Sequence, residues 1–195
     1  MGTFVFRKVL VSLLAVALLC AAGAGATSVL QMNLETMCAG AHQIFRGTIV
    51  DMYETTIEVG GGTLPAVTYV AEVKEAFAGD FETVKGVTVA RFTVVGTLKQ
   101  HQSGQHPIPG LPTLEIGGDY LLLVAPAGPV GLTATMGLGQ GCFTISGKPG
   151  EETAVNAIGN AGLFDGMSAA GMPSSGPVSY STLADLIHSL IGGGA

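Results

Sequence analysis

Residues 43 to 53, QIFRGTIVDMY, are the stretch on which the fold class turns. Ile44, Arg46, Thr48 and Val50 fall on one side of an extended chain, and Phe45, Gly47, Ile49 and Asp51 on the other. The alternation is imperfect, yet the β-branched content marks a strand, and a glycine inside it marks a bulge or a bend. Working outward, Gly60-Gly61-Gly62 reads as a turn, and Val67 to Phe77 (VTYVAEVKEAF) resumes the extended pattern. A third strand is expected over Thr83 to Val95, interrupted early by Gly86, after a break at Gly79-Asp80.

Further along, Asp119 to Pro126 (DYLLLVAP) is a short, nearly continuous apolar run, the pattern of a strand buried on both faces. Gly131 to Met136 and Gly141 to Ser146 are candidates for further strands, and Glu151 to Phe164 for either a loose helix or an extended segment. Helical spacing appears only near the ends. Leu30, Leu34 and Met37 within Ser28 to Ala41 predict a short amphipathic helix, with Ser28 as cap and Gly40 as stop. Leu183, Leu186, Ile187 and Leu190 predict another over Ser181 to Ile191. Gly96 to Pro112 has no apolar period and three prolines, so it reads as a long exposed loop, and Met167 to Pro177 reads as a Gly/Ser/Pro linker. With 30 glycines, 11% charged residues and no fixed-period repeat, the chain suits one mainly β domain with Gly-rich turns.

The N-terminus has the three parts of a secretory signal in order: Arg7 and Lys8, an uncharged apolar run from Val9 to Ala22, and the small-residue site Ala24-Gly25-Ala26. Cleavage there sets Thr27 as the mature N-terminus and an exported, periplasmic or secreted, location, with no stable membrane span left afterwards. Cys20 invites a lipoprotein reading, but Leu19 stands where a small residue is needed. Removing Arg7 and Lys8 leaves 6 Lys and Arg against 14 Asp and Glu, a formal charge of −8. So acidic a domain lacks the basic footprint for nucleic acid or anionic membrane. Cys38 and Cys142 remain in a compartment where disulfides persist, so one Cys38–Cys142 bridge is the favoured expectation and two free buried thiols the alternative.

The order of the motifs resembles that of secreted bacterial proteins with an OB-like barrel related to the netrin/TIMP module. There a short helix leads into a strand like Ala41 to Val50. Thr68 to Phe77 with Gly79-Asp80, Leu114 to Leu122, and Gly141 to Ile145 resemble the strands that follow. The resemblance covers roughly residues 28 to 148 and implies an antiparallel OB-like β-barrel with a short N-terminal and a short C-terminal helix. The implied division is a signal peptide at 1–26, a barrel domain at 27–148, and a Gly/Ser/Pro-rich tail at 149–195 whose amphipathic helix packs on the barrel. Protease inhibitors sharing the module chelate a catalytic zinc through an N-terminal cysteine; here the expected N-terminus is Thr27, and Cys38 lies on a helix.

No motif in the sequence specifies catalysis. Ser168 in GMSAAG lacks the strand and the second glycine of a nucleophile elbow. Asp51, Glu54, Glu72 and Glu75 would need to converge across a groove to hydrolyse a glycoside, whereas acidic side chains on an outer face commonly serve only solubility. Lys99, His101 and His106 form a candidate interaction loop; two histidines without a third ligand make solvated side chains rather than a metal site. His42 precedes the first strand and His188 lies on the last helix. Gly137 to Gly141 (GLGQG) leads into a strand, not a helix, so it is a backbone hinge and not a phosphate cradle. The functional expectation is therefore a non-catalytic binding module for an extracytoplasmic protein or glycan, with no cofactor. The alternatives are a hydrolase of envelope or extracellular polymers using strand carboxylates, and a protease inhibitor.

Overall fold

The computed structural model describes residues 30–167 and 171–193. The expected signal segment with its cleavage point before Thr27, Cys20, and Ser168 lie outside the described residues. Eight strands form one antiparallel sheet: β1 (Gln43–Val59), β2 (Gly62–Ala78), β3 (Glu82–Val84), β4 (Val87–Val95), β5 (Asp119–Val124), β6 (Cys142–Ser146), β7 (Thr153–Asn156) and β8 (Val178–Ser179). Their order across the sheet is β3-β4-β2-β1-β5-β6-β7-β8. Three helices accompany it: α1 (Leu34–Gly40), α2 (Leu98–Ser103) and α3 (Tyr180–Gly192). No helix among the described residues is long and apolar enough to cross a membrane.

Two glycine devices shape the first half. Gly60 and Gly61 have φ of +58° and +83°, so Val59 pairs with Gly62 around a two-residue turn whose twist matches the flanking strands. β1 and β2 consequently run 17 residues each, well past the expected strand ends. Lys85 and Gly86 repeat the device with φ of +52° and +84°, so what reads in sequence as one interrupted strand is the β3–β4 hairpin. Gly47 does mark a bulge. The β1–β2 register shifts between Arg46 and Gly47, and a Cβ at Gly47 would lie 2.6 Å from the Glu72 carbonyl oxygen.

β5 is apolar on both faces because both faces are core. Leu121 and Leu123 join Leu34, Met37, Ile44, Phe143, Leu183 and Ile187 in one cluster, roofed by α1 and α3. Tyr120, Leu122 and Val124 join Phe45, Ile49, Val67, Tyr69, Phe92 and Val94 in the other. The second cluster unites β4 with β5, so the sheet curls toward itself. It does not close: a backbone hydrogen bond from Thr133 to the Thr93 carbonyl links β4 to the segment beside β5, where Val124 and Thr135 form an isolated bridge. β7 and β8 extend the same sheet, and Leu163 and α3 extend the first core, so the described residues of 149–167 and 171–193 pack on the rest of the fold.

The expected Cys38–Cys142 bridge is not formed; both cysteines are free. The two-sided core explains it, since Cys38 on α1 packs against the first cluster and Cys142 at the head of β6 belongs to the second. Burial pushes both thiols up to about 12, which keeps them protonated and unreactive at neutral pH.

α1 begins later than its apolar spacing suggests, because the Asn33 side chain accepts a hydrogen bond from the Thr36 amide and caps it. The GLGQG run bends the chain into β6. A Cβ at Gly141 would sit 2.6 Å from the Met136 carbonyl oxygen and 3.1 Å from that of Leu123. Gly141→Ala should therefore lower stability by about 1–3 kcal/mol in urea unfolding, as overpacking against backbone does. An unchanged midpoint would show that the bend tolerates a side chain.

Candidate functional site

The Gly96–Pro112 segment is not an open loop. Thr97 and Gln100 form a reciprocal capping box that starts α2, and Gly104, with φ of +70°, ends it. This aims His101 inward, where it is 1% exposed. Its Nε2 lies 2.9 Å from the Val95 carbonyl and its Nδ1 2.7 Å from the Tyr69 hydroxyl. A carbonyl only accepts, so Nε2 donates to Val95, and in the tautomer with Nδ1 bare the Tyr69 O–H donates to it. His101 is thus a clamp between α2, β2 and β4. The hollow beside it, walled by Tyr69, Phe92, Leu111 and Leu114, is about 10 Å³, too small for a ligand. Of the three residues expected to meet a partner here, only Lys99 is exposed.

His106 stacks edge-on to His101 with ring centroids 4.8 Å apart. Its Nε2 lies 3.0 Å from Thr113 Oγ1, and its Nδ1 is buried with no hydrogen-bond partner. Desolvation, followed by the neighbouring His101, holds its pKa below the ordinary 6.5. No group of three His, Cys, Asp or Glu side chains among the described residues can hold a metal. His42 is exposed, and its backbone amide donates to the Val124 carbonyl. His188 is also exposed, 3.6 Å from Glu75 and against the Phe77 ring.

The strand carboxylates take different parts. Asp51, Glu54 and Glu72 are exposed. Glu75 accepts a hydrogen bond from the Tyr180 hydroxyl, which ties β2 to α3. Another acidic pair shares a cation: Asp119 and Glu152 flank one guanidinium nitrogen of Arg46, at 2.8 and 3.3 Å, with that guanidinium 4.3 Å above the Tyr180 ring. Burial opposes charge on Asp119, but hydrogen bonds from Arg46 and Lys74 outweigh it and hold the carboxyl below its ordinary value. Backbone amides, that of Gly150 first, and then Arg46 do the same for Glu152. Both are anions balanced by cations, and neither has the raised pKa that a general acid requires. A cleft of about 450 Å³, lined by Gln31, Gly137, Leu138, Gln140, Ala157 and Ile158 among others, carries no titratable side chain among the described residues.

The remaining feature is the distal half of the β1–β2 hairpin. β5 pairs with β1 only from Gln43 to Thr48, and two more bonds join Ile49 to Gly117 and Gly118. β4 pairs with β2 only from Ala66 to Glu72. Between Asp51 and Val59, β1 pairs with β2 alone, so its other edge has no backbone partner among the described residues. Met52, Glu54, Thr56 and Glu58 share the face that leads to Val67 and Tyr69 in the core; Tyr53, Thr55, Ile57 and Val59 share the outer face. Tyr53 is 43% exposed, and the 60% exposed Ile116 sits where β5 leaves off. Sequence reading stops the strand at Tyr53; the hint that it runs on is the β-branched stretch Thr55-Thr56-Ile57 leading to Gly60-Gly61.

No family model matches this chain, and no curated protein matches it in sequence, so function must be read from the geometry. A folded pKa below the unfolded one means that the unfolded chain binds more protons, so His106 subtracts stability as pH falls through and below about 6.5. His106→Gln should flatten the loss of stability between pH 7 and 5 measured by urea unfolding. A slope equal to that of the parent protein would exclude His106 from the acid response.

Proposed function

We propose that this chain is an exported, non-catalytic binding module on an OB-like barrel, and that it engages an extracytoplasmic polypeptide through the distal β1–β2 ribbon. The observation that carries this reading is the row of backbone groups, unpaired among the described residues, along the free edge of β1 from Asp51 to Val59. Those residues contribute to the second core only through Met52, yet the chain keeps them in two long strands with a well-formed turn. A segment that orders its backbone without burying it has a use outside the core. The β4-β2-β1-β5 order, with the Thr133–Thr93 contact drawing the ends together, supports kinship with five-stranded OB-like barrels. Export rests on the three-part N-terminal segment.

Each part has its own test. Replacing Thr56–Pro65 by Asn-Gly joins Thr55 to Ala66, a cross-strand pair, and gives up one fold-holding bond, that from the Gly96 amide to the Pro65 carbonyl. The shortened protein should fold with a stability close to that of the parent while losing the partner that the parent captures by crosslinking outside the cell. Capture of the same partner at equal yield would move the binding surface elsewhere. By contrast, removing residues 99 to 109 should unfold the domain, because that deletes His101. For export, the mass of the protein recovered outside the cytoplasm should begin at Thr27; a mass that retains Cys20 overturns cleavage.

A further inference from the structure

We infer that the free edge of β1 takes an added strand from an extended polypeptide segment with basic side chains four residues apart on one face and apolar ones on the other. The inference rests on the ribbon being the binding surface and goes on to the chemistry of what binds there.

The sheet manages its other edges in the usual way. Its two outermost strands, β3 and β8, have three and two residues, too short to template pairing. The long open edge lies instead on β1, which is internal in the strand order at its start and, on its β5 side, unpaired beyond Ile49 among the described residues. A two-stranded ribbon is marginal alone, and a third strand is what completes it. Unpaired N–H and C=O groups along an extended strand are matched best by another extended backbone, so the occupant is a polypeptide.

Charge decides which polypeptide. DMYETTIEV, from Asp51 to Val59, carries three acids and no base. A second copy of the chain would bring six acids and no base onto one ribbon, and like charges on adjacent strands destabilise pairing. Nucleic acid is repelled for the same reason. The register then places the charges. Glu54 pairs with Val67 and Met52 with Tyr69, both core-facing, so Glu54 and Glu58 stand on the core-side face two alternations apart. An incoming strand answers them with Lys or Arg at positions i and i+4. Its intervening side chains meet Tyr53, Thr55 and Ile57 on the outer face, and exposed Ile116, beside Ile49 through the Gly117 amide, supplies an apolar end stop.

The test uses the mature protein and three capped peptides: Val-Lys-Val-Thr-Val-Lys-Val, its Val-Glu-Val-Thr-Val-Glu-Val counterpart, and the lysine peptide N-methylated at alternate amides. Affinity is read by calorimetry and location by amide hydrogen exchange. The lysine peptide should bind about tenfold more tightly than the glutamate peptide, the difference that two exposed charge pairs make when attraction replaces repulsion, and should slow exchange within residues 52–59. N-methylation should abolish both effects. The double variant Glu54→Lys, Glu58→Lys changes exposed side chains only, and should reverse the preference between the peptides.

Slowed exchange in 52–59 with equal affinity for the lysine and glutamate peptides would keep the ribbon as a binding surface but overturn the basic partner. Binding without slowed exchange there would overturn strand addition, and a doubled mass in solution with residues 52–59 protected would overturn the basic partner by assigning the edge to a second copy. Loss of the captured partner on ribbon shortening is scored separately, so failure of the peptides and failure of the surface are distinct results.

Discussion

The structure depends on a strand that is apolar on both faces. Tyr120, Leu122 and Val124 point into one core and Leu121 and Leu123 into the other, so Asp119–Val124 is the partition between two hydrophobic clusters. Each buried Leu or Val contributes about 1.5–3 kcal/mol from burial alone, and a six-residue strand that counts on both sides anchors most of the sheet. β1 needs β5 only over Gln43–Thr48, and α1 and α3 have an apolar face to cover only because Leu121 and Leu123 present one. The separation also keeps Cys38 from Cys142, and so replaces a covalent staple with packing.

Polar side chains then lock what packing arranges. The Arg46 guanidinium, half-buried on β1, meets Asp119 at the head of β5, Glu152 in the turn before β7 and the ring of Tyr180 on α3. Four elements converge on one cation, and the pairing works because neither acid is free to neutralise its charge by taking a proton at neutral pH. Away from it, Gln140 accepts from the Met32 amide and donates to the Leu30 carbonyl, while Asn156 and Asn160 bond each other's neighbourhoods and hold the turns after β7. These are buried groups with partners, as interior polar atoms require. His106 Nδ1 is the exception among the described residues, and it lies on the segment that straps the second core.

Much of this was legible in the residues. The run DYLLLV announces burial on two faces, Gly47 announces its bulge, and the stripe Leu183, Leu186, Ile187, Leu190 announces α3. What escaped has local causes. Thr97 and Gln100 are a capping box, but the proline-rich stretch after it hides a six-residue helix that lacks a full apolar period, so His101 reads as solvated when it is core. Lys85 in the left-handed region is uncommon for a residue with a Cβ, so a reversal reads as a mere interruption. The cysteine pair fails for a different reason: counting thiols says nothing of which face each one occupies. The open edge of β1 is topological, since nothing in residues 51–59 records that β5 ends at one end of its pairing and never follows them.

The same three acids answer two demands on that edge. A nine-residue strand with one edge unpaired among the described residues, and with Tyr53, Ile57 and Val59 on one face, is the kind of segment that stacks on its own copies. Asp51, Glu54 and Glu58, with the bulge between Ile49 and Asp51, make such stacking costly by repulsion and by local twist. Repulsion is selective, however: it raises the cost of an acidic or identical strand and lowers that of a basic one. A sheet edge guarded by lysines would shut out the opposite class. In a domain whose overall charge is strongly negative, guarding with acids leaves one kind of strand, extended and basic, for which the edge is open, so protection from self-association and choice of partner come from one set of side chains.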